Sequence, residues 1–397
     1  MKRSRKKHSI NKTKTKRRKK NADYFIIPNS TPQLIRKIGK EIAQDIPEGN
    51  IFYYKDNAVS SYSPTINDEL VSLKSIPRKE LFDCNTQAAF KMREPLEISI
   101  PGYIYGRNCY KYDSPEAKRF LLHNLKADKH VIPSKIVPPI QSQSNCWFNT
   151  MFATFFISDK GRKFFHFFRQ LMIEGKQKDG SKIPDRLKDA FALLNFGIDA
   201  ALTGNRYAYE LNTNNVISQI YNAIPDTYKS ENSYIVGVKQ AGNPILYYIG
   251  IINYLNNNAL LLVLLRDVNK NWKQKLEDVM KKVTHLPHIV VLEIYEENAY
   301  AFNNKPITFT INDAKYKLDS AIIRDQSKSH FCATLTVENK QMAYDGMSFH
   351  RLEYMEWKNK LNNKFFQWEF EGSNNYDGQP MKWNFTKCYQ MLMYYRI

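Results

Sequence analysis

A thiol, an imidazole and a carboxylate held together can cleave an acyl bond, and one cysteine of this chain is placed for such work. Cys146 follows the polar loop Gln141-Ser142-Gln143-Ser144-Asn145 and opens the stretch Trp147-Phe148-Asn149-Thr150. The working nucleophile is the thiolate, and a free thiol with a pKa of about 8.5 is mostly protonated at neutral pH. Two devices favour the anion: the unpaired N–H groups of a helix N-terminus and a neighbouring imidazolium. A helix starting at or near Cys146 supplies the first. The bland reading is a buried structural thiol, since free cysteine is among the most buried residue types.

The second device requires one of eight histidines. His8 lies in a basic N-terminal run, His166 sits among phenylalanines, and His350 reads as exposed. His285 and His288 flank Leu286-Pro287, a metal-like pair with no thiol or carboxylate beside it, so no metal is assigned. His330 differs. It opens a strand running to Val337; a polar turn follows, then a second strand, Gln341 to Tyr344, ending at Asp345-Gly346. His330 and Asp345 oppose each other if the loop spans about four residues, Thr336 to Asn339. A tight turn at Asn339-Lys340 would instead place Asp345 opposite Thr334. An acyl-transfer site also needs donors for the oxyanion, and Gln141, Gln143 and Asn145 each offer a side-chain amide upstream of the thiol.

The elements that must position these groups fall into two blocks. A helix is expected from Cys146 through Phe156. A second, capped by Ser158, would bear Phe164, Phe165, Phe168, Leu171 and Met172, and a third runs from Pro184 to Gly204. Beyond Ser233 the segments SYIVGV, PILYYIGIINYL, ALLLVLL, HIVVLEIY, KYKLDSAII, HFCATLTV and QMLMYYRI read as strands, interrupted by a helix from Trp272 to Val283. Helices first and strands afterwards indicate an α+β domain whose helical half packs on an antiparallel sheet.

Three segments are expected: a disordered basic arm (1–22), an N-terminal extension or small domain (23–130, with a helix over Gln33 to Gln44), and the domain carrying the chemistry (131–397). Of a formal net charge of +20, twelve positive residues and no acid lie in the first twenty positions. Without interleaved aromatics, the arm would contact nucleic acid through phosphates, with Lys16, Arg17, Arg18, Lys19 and Lys20 as its densest run. A solubilising tail and a membrane-surface anchor are the other readings. Five widely spaced cysteines with no C-x-x-C pair indicate reduced thiols, with neither a zinc ribbon nor a disulfide framework. The longest apolar run, Ala259 to Leu265, is too short to span a membrane, and no secretory h-region is present. An intracellular protein, cytosolic, nuclear or packaged in a particle, is expected.

The order Cys…His…Asp, an amide upstream of the thiol, and a hairpin bracketed by His and Asp resemble papain-like cysteine peptidases. The ubiquitin-specific protease family is the nearest likeness. Cys146-Trp147-Phe148-Asn149-Thr150 is similar to its Cys box, with Gln141 at the oxyanion Asn position. Ser329-His330-Phe331 and Met342-Ala343-Tyr344-Asp345-Gly346 resemble its His box, with Ser where a Gly is usual and Gly346 where a second acid is usual. Cys388 to Tyr395 resembles the closing strand. The zinc-binding C-x-x-C pairs of that family's fingers are missing. The resemblance implies a papain-like α+β fold and a thiol-dependent hydrolase needing no cofactor. In that reading Cys146 is the nucleophile, His330 the base and Asp345 its orienter, with Gln141 or Asn145 as oxyanion donor and Trp147 and Asn149 at the substrate. Ubiquitin or ubiquitin-like conjugates are the implied partners. Lys/Asn-rich composition and the basic arm resemble proteins of large DNA viruses, so processing of viral structural proteins is a second reading. A non-catalytic binding protein on a peptidase scaffold, with a nucleic-acid-binding arm, is a third.

Overall fold

The computed structural model describes residues 51–53, 78–80, 84–91, 93–101, 107–127, 130–177, 180–257, 259–283 and 285–397. The basic arm with Lys16 to Lys20 and the helix expected over residues 33–44 lie outside the described residues. The architecture is mixed α+β. Eight helices matter here: α1 (Pro115–Ala127), α2 (Cys146–Phe152), α3 (Asp159–Phe164), α4 (His166–Glu174), α5 (Asp185–Thr203), α6 (Thr213–Ala223), α7 (Pro244–Tyr254) and α8 (Trp272–Met280).

Local chemistry accounts for their ends. The Ser158 hydroxyl accepts the Gly161 N–H and caps α3. Pro184 precedes α5, and Gly204 ends it with a left-handed φ of 67°. A Cβ at Gly204 would stand 2.1 Å from the Lys135 carbonyl oxygen. Gly204→Ala is therefore expected to destabilise the fold by more than the roughly 1 kcal/mol of left-handed strain alone. Urea unfolding beside wild type measures it, and an unchanged midpoint would contradict it.

The strands are β1 (Ile51–Tyr53), β2 (Glu97–Pro101), β3 (Arg107–Lys111), β4 (Leu262–Leu265), β5 (Ile289–Ile294), β6 (Thr308–Ile311), β7 (Ala314–Arg324), β8 (Phe331–Val337), β9 (Lys340–Tyr344), β10 (Leu352–Tyr354) and β11 (Gln390–Arg396). All but β2 and β3 form one sheet, in the order β1-β4-β5-β11-β7-β8-β9-β10, with β6 on β7. The β4–β5 pair is parallel, bridged by α8, so the sheet is mixed rather than wholly antiparallel. Its two faces carry separate cores. Ala333, Leu335, Val337, Met391 and Met393 face the helices. Cys332, Ala343, Leu392 and Tyr394 face α8 and a Trp-rich cover that includes Trp357, Trp368 and Trp383. Burial on both faces explains why these strands read as continuous apolar runs. Ala89, Phe90, Ile98 and Phe120, from the segment before residue 130, belong to the same core as the helices.

Several expectations are corrected. PILYYIGIINYL is helix α7, not a strand: Asn243 accepts the N–H groups of Ile245 and Leu246, and Pro244 takes the first turn. An all-apolar helix has no period to separate it from a buried strand. SYIVGV forms no strand. The helix from Cys146 stops at Phe152 and passes into a π-turn, Ala153–Ile157. The next helix is divided at Phe165 into α3 and α4. Cys84 and Cys109 are disulfide-bonded rather than reduced, a pairing that spacing alone does not signal. Among the described residues, no helix is long and apolar enough to cross a membrane.

Candidate active site

Cys146 occupies the first turn of α2 and is 8% exposed. The loop before it is tied down at several points. The Gln141 N–H donates to the Gly346 carbonyl at 2.8 Å, and the Asn149 amide donates to the Ile140 carbonyl at 3.2 Å. Thr213, opening α6, stitches the two ends together. It accepts from Asn145 Nδ2 at 2.8 Å and donates to Asn149 Oδ1 at 2.6 Å.

The hairpin is placed by a register that neither sequence expectation gave. Val337 faces Lys340, so the turn is the two residues Glu338 and Asn339. Both have positive φ, 48° and 61°, the conformation that matches strand twist in tight hairpins. Carried one step past Ala333–Tyr344, the register sets Asp345 opposite Cys332, with His330 its diagonal neighbour on the same face. Diagonal pairs stand about 7–8 Å apart at Cα, within reach of a ring and a carboxyl. His330 Nε2 and Asp345 Oδ1 meet at 2.6 Å.

Both ends of this hairpin are fixed to the helical half. At the turn, the Asp159 carboxylate accepts the N–H groups of Glu338 and Asn339 at 2.8 and 2.9 Å, and Arg162 pairs with Glu338 at 2.9 Å. At the other end, the Tyr344 hydroxyl and Arg351 donate to the carbonyls of Pro139 and Pro138, both at 2.7 Å. The Cys146 loop and the His330–Asp345 pair are thus held by one set of contacts.

His330 is 3% exposed, and its backbone N–H donates to Asp325 Oδ1 at 2.6 Å. Asp325 also accepts the N–H groups of Ser327 and Ser329, at 2.7 and 2.8 Å, fixing the loop that delivers the ring. Burial opposes protonation of the ring. The hydrogen bond to Asp345 and the nearness of Cys146 outweigh it and raise the pKa to about 10. Nε2 is engaged by Asp345, whereas Nδ1 is buried without a hydrogen-bond partner. Cys146 stands close enough to the ring to favour its charged form. The remaining Asp345 acceptor capacity takes the Met347 N–H at 3.1 Å and the Ser373 hydroxyl.

The structure brings Cys146, His330 and Asp345 together, with the Gln141 backbone bonded to Gly346, next to Asp345. Asn145 is fully buried, with its amide nitrogen bonded to Thr213. Trp147 is 1% exposed and packs edge-on against Tyr247, and Asn149 is fully buried. Both side chains help fasten α2 to the fold. The described residues contain no cluster of three side chains suited to a metal. His288 is buried, and its Nδ1 accepts the Leu261 N–H at 3.0 Å. Ser373, Asp325 and Thr213 were not foreseen. Asp325 lies five positions before His330, whereas Ser373 and Thr213 act across 28 and 68 positions, where only the tertiary fold joins them to the site.

No family model matches the chain, and no curated protein matches it. Among solved structures, it is similar to the SAGA DUB module Ubp8/Sgf11/Sus1/Sgf73 bound to monoubiquitin. The TM-score is 0.39 at 10% identity, covering 67% of this chain and 70% of that one. The same module bound to ubiquitin aldehyde gives the same values. An essential yeast splicing factor gives a TM-score of 0.35 at 8% identity, covering 78% of this chain and 87% of that one. These likenesses are weak and partial, and they name no family.

Proposed function

We propose that this chain is a cysteine-type peptidase of papain-like character. The single observation that supports the reading most is His330, buried between Asp345 and Cys146 and favoured in its charged form. An imidazolium beside a thiol at a helix N-terminus is the arrangement that favours thiolate. The Cys146 thiolate attacks the scissile carbonyl carbon, and the electron pair of the C=O bond moves to oxygen. His330 gives its proton to the leaving amine as the C–N bond breaks, leaving a thioester on Cys146. His330 then takes a proton from water, whose oxygen attacks the thioester, and the carboxylic acid departs as the thiolate is restored. Asp345 keeps the proton of Nε2 in place so that Nδ1 faces the chemistry.

Gln141 is the better oxyanion donor of the two candidates. Its amide nitrogen has no partner among the described residues, while that of Asn145 is spent on Thr213. The Cys146 N–H, in the first turn of α2, is the second donor.

Ubiquitin or a ubiquitin-like protein is the first substrate to test, on the strength of the Cys-box and His-box sequence resemblance. The test is labelling by a ubiquitin C-terminal electrophile, wild type beside Cys146→Ala, with a small thiol-reactive probe in parallel. An adduct on wild type alone supports both nucleophile and substrate class. Selective labelling of Cys146 by the small probe alone keeps the peptidase and discards ubiquitin, favouring a processing enzyme for other proteins. No selective labelling of Cys146 by either probe overturns the proposal.

A further inference from the structure

The orienting carboxylate is itself oriented, and by a segment far from it in sequence. Asp345 is fully buried, and its Oδ1 receives both His330 Nε2, at 2.6 Å, and the Met347 N–H, at 3.1 Å. Its Oδ2 receives the hydroxyl of Ser373. A carboxylate held at one oxygen alone can swing about its Cβ–Cγ bond, and the ring bonded to it swings too. The second oxygen is what fixes the plane.

Ser373 is built to do this. It is fully buried and lies in the connection between β10 and β11. Its N–H donates to Phe370 O at 3.1 Å, and its carbonyl accepts the Met381 N–H at 3.0 Å. The preceding Gly372 has a φ of 87°, a backbone conformation that other residues rarely adopt, and a Cβ there would strike the Phe349 ring at 2.7 Å. The hydroxyl is therefore carried on a turn bound at both sides, and its donor points at a buried anion. Hydrogen bonds to charged acceptors are the strong ones.

We infer that Ser373 is a positioning residue for His330, acting through Asp345 by locking the carboxylate plane in which Oδ1 meets Nε2. Its kinetic consequence rests on the peptidase reading above; its effect on the ring does not. The experiment compares wild type, Ser373→Ala and Ser373→Cys by NMR of the His330 imidazole N–H proton, with near-ultraviolet circular dichroism to verify folding. Wild type should give a sharp, downfield Nε2–H resonance that exchanges slowly with water. Ser373→Ala should move it upfield and speed its exchange about tenfold. The Cys variant keeps nearly the same volume with a weaker donor, and should fall between them. Folded variants with the wild-type resonance and exchange rate would overturn the inference, leaving Ser373 as packing only. Should Ser373→Ala fail to fold, the Cys variant decides alone. Where peptidase activity is found, kcat should fall about tenfold in Ser373→Ala at unchanged KM. If no activity is found in wild type, the resonance still judges Ser373 separately from the peptidase proposal.

Discussion

Asp345→Asn is expected to lower turnover about 10⁴-fold while leaving the chain folded, in line with the loss seen when the orienting acid of a nucleophile–histidine pair becomes an amide. The reason lies in the charge. The Asp345 carboxylate accepts from the His330 ring, the Met347 N–H and the Ser373 hydroxyl. An asparagine in its place can keep the hydrogen bonds, its oxygen accepting from the ring and the Met347 N–H while its NH2 group donates to the Ser373 hydroxyl, but it carries no charge. The buried imidazolium then loses the anion that stabilises it, and the Cys146 thiolate loses the imidazolium beside it. Single-turnover cleavage of a labelled substrate, with circular dichroism as the folding control, measures the effect. A loss of less than tenfold would show that Asp345 is not the orienting group.

The second large effect is a separation between two buried histidines. His330 should remain an imidazolium well above neutral pH, titrating only near pH 10, whereas His288 should stay neutral down to about pH 3. For His288, burial is the main cause, reinforced by the charge of Arg396. Its Nδ1 is also the acceptor for the Leu261 N–H and is lost on protonation. The signs for stability are opposite. The contribution of the His330 proton is complete below its unfolded pKa, about 6.5, and is lost as pH rises through about 10. The contribution of neutral His288 is complete above about 6.5 and is lost as pH falls toward 3, by up to about 1.4 kcal/mol per pH unit. Imidazole NMR titration reads both rings directly. Urea unfolding between pH 7 and pH 4 should show a shallower slope in His288→Gln, which keeps an acceptor without titrating. Parallel slopes would refute the assignment for His288.

Much of the fold was legible because its signals are local. Ser158 as a cap, Pro184 and Gly204 as brackets of α5, and the apolar runs of β5, β7, β8 and β11 all speak within a few residues. Helix α7 was misread because burial on every side erases the periodicity that separates helix from strand. The hairpin register failed for a different reason. A turn made by Glu338 and Asn339, both at positive φ, lacks the glycine that usually marks it. In the candidate site, Cys146, His330, Asp345 and Gln141 were visible through residue type and order. Their support was not. Ser373 reaches Asp345 across 28 positions and Thr213 reaches Asn145 across 68, and no spacing rule encodes either. The same holds for the Cys84–Cys109 bond.

The place of β11 bears on how the protein comes into being. This strand lies between β5 and β7 and pairs with both, yet its residues are the last of the sheet to leave the ribosome. While they are still being made, β5 and β7 each keep one bare edge, with no strand between to join them. Such edges are templates for pairing with other chains. Assembly of the sheet is consequently a late, long-range event of the kind that folds slowly and exposes sticky intermediates. Chaperone supply during synthesis would then bear on how much of this protein a cell accumulates.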